Sequence, residues 1–149
     1  MTDEIPTGQL NKTAIDEFLA RPLLARLATA DPSTGQPHVV PLWYGWDGTS
    51  IWISSFRSTR KIMELQKNPR CSIVIDMAEE GKETKAVILE GEVELVTGPF
   101  ELLKKQTTWV YTRYLGPEGV LAKDPQSWIA DPENLLIKLI PAKIMSWGW

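Results

Sequence analysis

The chain has one cysteine and one histidine among its 149 residues. A single thiol excludes an intrachain disulfide and a cysteine metal cluster. Cys71 stands in the apolar run Cys71-Ser72-Ile73-Val74-Ile75 and reads as a buried structural thiol rather than a nucleophile. Any histidine metal site or serine–histidine–aspartate triad would have to be built around His38 alone. That residue follows Pro37 in a strand-like stretch and reads as half-buried or on the surface. No glycine-rich phosphate loop of the P-loop or dinucleotide type is present. No apolar run approaches the ~20 residues needed to span a bilayer, and the polar, acidic start MTDEIPTGQLNK is not a secretory signal. Positive charge is also lacking. With 16 Lys and Arg against 19 Asp and Glu, the formal charge of −3 argues against nucleic acid or an anionic membrane as the main partner. These absences predict a cytoplasmic protein in a reducing setting.

What the chain does have is one domain's worth of core. A hydrophobic content of 43% over this length is enough to bury a substantial interior without staples, and no repeat or linker divides residues 1–149. Residues 1–12 read as a loose lead-in. Thr13 is expected to cap a helix through Ala20 with Ile15, Phe18 and Leu19 on its apolar face, and Arg21-Pro22 stops it. Leu23 to Ala30 alternates as a strand, and Asp31 to Gln36 is a turn. Further on, Arg70 to Met77 and Lys85 to Val96 read as strands. In the second, Gly91 lies on the apolar face, which marks a bend or a close backbone approach and suits a curved, closing sheet. A helix is expected from about Pro99 to Leu115 with a stripe of Phe100, Leu103, Val110 and Tyr114, and Gly116 just beyond its end. Residues 116–131 are irregular or hold a short helix. Leu135 to Ile140 is the last expected strand, followed by a tail with Met145, Trp147 and Trp149. The fold class is therefore mainly β with helices (α+β): about six antiparallel strands closing into a small barrel.

The most informative stretch is Pro37 to Asn68. His38 to Tyr44 reads as a strand, Asp47-Gly48 as a two-residue hairpin turn, and Ile51 to Ser55 as the returning strand. Ile51 and Ile53 fall on one face, Trp52 and Ser54 on the other. The returning strand runs into Ser54-Ser55-Phe56-Arg57-Ser58-Thr59-Arg60-Lys61, where a helix begins with Ser58 or Thr59 as N-cap. Cations have the wrong sign for a helix N-terminus, so Arg60 and Lys61 would repel it unless an anion sat between them. Free backbone N–H groups and fixed cations make an anion site, and a phosphate is its natural guest. Trp43, Trp46 and Trp52 gather around the hairpin; Trp46 reads as core, and Trp43 is open between core and an apolar wall for a planar ligand.

An ordered set of segments carries a resemblance. Ala25-Arg26-Leu27-Ala28-Thr29, Pro37-His38-Val39-Val40-Pro41-Leu42-Trp43-Tyr44, Arg60-Lys61-Ile62-Met63-Glu64-Leu65 through Asn68-Pro69-Arg70, Leu89-Glu90-Gly91-Glu92-Val93, Tyr114-Leu115-Gly116 and the closing Pro141-to-Trp147 pattern span roughly residues 23–147. Together they resemble the pyridoxamine 5′-phosphate oxidase-like split-barrel flavoprotein family. The resemblance implies a six-stranded antiparallel split β-barrel that forms a homodimer, with two FMN sites at the interface built from both chains. It implies that Arg60 and Lys61 hold the FMN phosphate with hydroxyl contacts from Ser55 and Thr59. Val39, Val40 and Pro41 would line the isoalloxazine edge through backbone groups, beside Ser54; Lys85 would contact the flavin; and Trp147, with Trp149, would reach into the partner's site. The family's oxidases proper continue past the tryptophan into an arginine- and histidine-containing segment for the substrate phosphate. This sequence ends at Trp149, so the expected activity is a flavin-dependent oxidoreductase acting on another small organic substrate. Relatives of this length take FMN, the deazaflavin F-420, or haem-type and bilin ligands, so a deazaflavin reductase and a non-catalytic binding dimer are the alternatives. No side chain stands out as an obligatory acid or base, and the redox chemistry would be the cofactor's.

Overall fold

The computed structural model describes residues 9–148. The expectation for Trp149, and most of the expected lead-in, lie outside the described residues. Twelve elements follow in order: α1 Lys12–Leu19, β1 Ala25–Ala30, β2 Pro37–Leu42, β3 Gly45–Trp46, β4 Ile51–Phe56, α2 Arg60–Lys67, β5 Arg70–Ala78, β6 Thr84–Val96, α3 Phe100–Gly119, α4 Lys123–Ala130, β7 Asn134–Leu139 and β8 Lys143–Gly148. All pairings are antiparallel, in the order β2-β1-β5-β6-β7-β4-β3 with β8 added on β6. The result is a curled half-barrel that, among the described residues, has four helices and eight strands rather than six.

β6 is the spine. One edge pairs with β5, whereas the other pairs first with β8, Lys85 to Glu90, and then with β7, Val93 to Val96. The change of partner falls at Gly91, where an added Cβ would stand 3.1 Å from the Ala142 nitrogen and 3.2 Å from Leu139 Cδ1. The glycine is what lets the β7–β8 connection pass close over the strand. The closing segment is therefore not a tail: Lys143–Gly148 is a strand, with Trp147 opposite Ala86. Leu10 is tied down as well, its N–H donating to Ser146 Oγ at 3.0 Å.

Two apolar clusters fill the two faces. Ile15, Phe18 and Leu19 of α1 and Ile62 and Leu65 of α2 pack with Ile51, Ile53, Ile73 and Leu89. On the other side Trp52 and Leu136 meet Leu103, Val110 and Tyr111 of α3 and Ile129 of α4. The alternation expected for β4 thus separates the two clusters. The cap of α1 is Asn11, whose Oδ1 accepts from the Ala14 N–H at 2.8 Å, rather than Thr13. Phe100 is exposed at the first turn of α3 and takes no part in its stripe. Gly116, at φ +79°, breaks α3 where the sequence ends it, and Pro117 starts a further turn.

The largest departure is at Trp43–Tyr44. His38 to Tyr44 is not one strand. β2 pairs only with β1, on one edge of the sheet, and β3 pairs only with β4, on the other. Helix α3 fixes this crossing. The Tyr44 N–H donates to Tyr114 Oη at 3.1 Å, Arg113 donates to the Tyr44 carbonyl, and Trp109 lies so close over Gly45 that an added Cβ would be 2.5 Å from its ring. The hairpin after it is β3–β4, closed by four residues rather than two. Asp47 Oδ1 accepts from the N–H groups of Thr49 and Ser50 at 2.8 and 2.6 Å, and only Gly48 takes a positive φ.

Candidate cofactor site

The β4–α2 connection brings Ser54, Ser55, Thr59, Arg60 and Lys61 onto one short segment. Thr59 occupies the N-cap, yet its hydroxyl makes no capping bond. It donates to the Phe56 carbonyl at 2.9 Å and stands 3.3 Å from Ser55 Oγ. The first-turn N–H groups of α2 are therefore left without a side-chain acceptor. Arg60 donates from Nε to Glu64 Oε2 at 3.2 Å, while over half of its side chain is exposed. Lys61 has no counterion among the described residues, and burial alone pulls its pKa below the ordinary lysine value. An uncapped helix start beside a desolvated, unpaired ammonium is a site built for an anion.

Ser54 and Phe56, at the end of β4, line a cavity of about 360 Å³ together with Pro41, Trp43, Tyr111 and Trp128. Tyr111 stands edge-on to Trp43 and to Trp128, at 5.7 and 6.0 Å between ring centres. Trp43 is braced from behind by Tyr114, stacked at 4.9 Å and 6°. The polar groups are few and held in place: Ser54 Oγ donates to Asn134 Oδ1 at 2.7 Å, and Asn134 Nδ2 donates to buried Thr107 at 3.0 Å. Because its proton is committed to Asn134, Ser54 meets the Tyr111 hydroxyl, 3.4 Å away, as an acceptor. Burial raises the Tyr111 pKa, so the phenol is neutral at physiological pH. Flat apolar walls with a few hydroxyls held in place suit a planar ring bearing polar edge atoms.

The sequence-predicted residues divide into groups. Pro41 and Ser54 share the aromatic cavity; Ser55, Thr59, Arg60 and Lys61 do not line it, and Arg60 lines a separate cleft with Asp31, Met63 and Glu64. Val39 and Val40 precede Pro41 on the edge strand β2; Val39 is exposed and Val40 half-buried, and neither lines the cavity. Lys85 and Trp147 stand on neighbouring rungs of β6 and β8, Lys85 paired with Glu83 at 3.0 Å, and line neither this cavity nor the cleft beside Arg60. Trp46 is core, its Nε1–H donating to Asp16 at 2.8 Å, and Trp43 is both wall and core neighbour. Cys71 is buried and its thiol is pushed up to about 12. Sequence reasoning missed Tyr111 and Trp128. Tyr111 could have been found, since it continues the spacing of Leu103 and Thr107 along one face of α3; Trp128 sits in a helix that composition left undefined.

A sequence profile of the pyridoxamine 5′-phosphate oxidase family matches residues 12–148. Among solved structures, a conserved hypothetical protein from Mycobacterium tuberculosis superimposes with a TM-score of 0.79 at 25% identity, covering 95% of this chain and 87% of that one. An F-420 reductase matches with a TM-score of 0.65 at 26% identity, over 87% of this chain and 94% of that one. A FAD-binding protein from Mesorhizobium loti shares the fold with a TM-score of 0.71 at 23% identity, over 97% and 99%. No protein of curated function matches the chain.

Proposed function

The chain belongs to the pyridoxamine 5′-phosphate oxidase-like split-barrel family, and on that premise we propose that it is a flavin-dependent oxidoreductase with FMN as cofactor. The observation that carries this reading is the half-buried, unpaired Lys61 beside the uncapped start of α2. Arg60, Lys61 and the α2 N–H groups hold the phosphate, with Ser55 and Thr59 as hydroxyl contacts. Pro41 and Ser54 meet the ring edge, with Val39 and Val40 approaching through their backbone, and the aromatic cavity receives the ring or the substrate stacked on it. Lys85 and Trp147 lie away from this corner within one chain, so they act from a second copy in a homodimer. The bound cofactor supplies the hydride or electron transfer; the protein orients it, excludes water with Trp43, Tyr111 and Trp128, and keeps the Tyr111 proton in place.

A second reading, a deazaflavin (F-420) reductase, is favoured by the 26% identity with an F-420 reductase over 94% of that chain. Both cofactors offer a phosphate and a flat ring to the same residues. A dimer that binds the cofactor without turnover is separated from both by kinetics. The test follows tryptophan quenching while FMN or F-420 is titrated into the wild type and into an Arg60→Ala/Lys61→Ala variant. Loss of both cations should weaken binding by more than about tenfold, since each charge-assisted contact contributes roughly 1.5–3 kcal/mol. Equal binding by the variant removes the phosphate assignment, and no binding of either cofactor by the wild type removes the oxidoreductase reading. Reduction of the bound cofactor by a nicotinamide nucleotide and reoxidation by an acceptor then distinguish turnover from storage.

A further inference from the structure

Glu64 is a buried carboxylate, only 7% exposed, on a helix of the surface. Its two oxygens are divided between three elements. Oε1 accepts from buried Thr29 Oγ1 of β1 at 2.7 Å and stands 3.3 Å from His38 Nδ1 of β2; Oε2 accepts from Arg60 Nε at 3.2 Å. His38 Nδ1 is the buried side-chain atom left without a hydrogen bond among the described residues. We infer that Glu64 is the positioning residue of the phosphate corner: anchored by Thr29, it fixes the Arg60 guanidinium through Nε–H and leaves the two terminal NH₂ groups free for the anion. The inference rests on the phosphate reading above.

The argument is one of geometry set against charge. A guanidinium forks onto a phosphate with its terminal nitrogens, and a long side chain that is already held loses less freedom in doing so. Those nitrogens have no partner among the described residues, whereas Nε is engaged by buried Glu64 although over half of the arginine side chain is exposed. By charge alone a carboxylate i+4 from Arg60 works against an anion at the same helix end. A charge-only effect and a positioning effect therefore predict opposite signs when Glu64 is neutralised. A mere tie between α2 and β1 predicts no dependence on the ligand's phosphate.

The experiment measures dissociation constants by tryptophan quenching for FMN and for riboflavin, which lacks the phosphate. F-420 and its phosphate-free core form a second pair, and the proteins are the wild type, Glu64→Gln and Thr29→Val. Glu64→Gln should weaken the phosphorylated member about tenfold, the lower end of what a lost outer partner costs at a metal site, and leave the phosphate-free member within about twofold. Thr29→Val, which removes the anchor and keeps the carboxylate, should produce a smaller loss with the same phosphate dependence. Equal weakening of both members in either variant assigns Glu64 a structural role and overturns the inference. Tighter FMN binding by Glu64→Gln overturns it in favour of charge alone. A wild type that binds both members of each pair equally overturns the phosphate site itself, a failure already visible before any substitution.

Discussion

Arg113 offers the sharpest test of how this fold is held. It reaches from α3 to the end of α1, Nη2 donating to the carbonyls of Leu19, Ala20 and Arg21 at 3.1, 3.1 and 2.9 Å, while Nη1 donates to the Tyr44 carbonyl. Its guanidinium also lies over the rings of Tyr44 and Tyr114, at 4.7 and 5.5 Å from their centres. Replacement by Met keeps much of the stem and removes the donors. The carbonyls of Leu19 and Arg21 would keep the Tyr44 hydroxyl, at 2.9 and 3.0 Å, and Ala20 is exposed enough for water to replace its partner. The Tyr44 carbonyl is different. It belongs to a fully buried residue and would retain only the Tyr114 hydroxyl at 3.4 Å, a poor bond. One orphaned buried carbonyl costs about 1–3 kcal/mol, and two lost cation–π contacts add about 0.5–1 kcal/mol each. Arg113→Met should therefore lose about 2–5 kcal/mol, a fall in Tm of roughly 5–20 °C for a chain of this size. Thermal melting followed by circular dichroism, together with urea unfolding, measures it. Because Tyr44 follows the cavity residue Trp43, the same variant should bind planar ligands more weakly. A Tm within about 1 °C of the wild type would refute the reasoning.

Three further substitutions and one titration follow from the same geometry. Gly45→Ala puts a methyl 2.5 Å from the Trp109 ring and should lose about 1–3 kcal/mol, with a shift in tryptophan emission; an unchanged melt and spectrum would contradict the contact. Gly91→Val should cost at least as much, about 1–3 kcal/mol or more, because the nearest atom is the Ala142 backbone nitrogen, which cannot rotate away; a wild-type melt would show that the β7–β8 crossing is loose. Lys61 has a folded pKa below its ordinary 10.5, so between the two values the unfolded chain holds the extra proton and stability rises with pH. In that same alkaline window the ammonium is lost, and on the proposed assignment affinity for FMN should fall. Parallel Tm and quenching measurements against pH should show opposite slopes in the wild type and neither slope in Lys61→Met, and a wild-type affinity flat up to the ordinary lysine value would remove Lys61 from the site.

The parts of the fold that local pattern controls were legible. Ile15, Phe18 and Leu19 mark the buried face of α1, and the glycine in β6 marks the bend where partners change. What was not legible is partner choice. His38 to Tyr44 reads as one continuous strand because β propensity is scored residue by residue, whereas the break after Leu42 is imposed by Trp109, Arg113 and Tyr114, side chains about 70 residues further on. The same holds for β8, whose reason to be a strand is the free upper edge of β6 rather than its own short alternation.

The site divides along the same line. The proposed phosphate grips are local: hydroxyls, cations and an open helix start lie within eight residues, where composition and capping rules can see them. Its ring cavity is not, because Ser54 meets Tyr111 across 57 residues and Trp128 arrives from a helix that composition does not define. Glu64 falls between the two. In the sequence it is an i+4 partner of Arg60, the kind of helix-surface pair that contributes about 0.3–0.5 kcal/mol. In the fold, Thr29 of a distant strand buries it and turns a weak surface pair into a fixed support for the arginine. Neutralising a residue whose charge opposes the anion should therefore weaken anion binding, an outcome that neither sequence spacing nor net charge would predict.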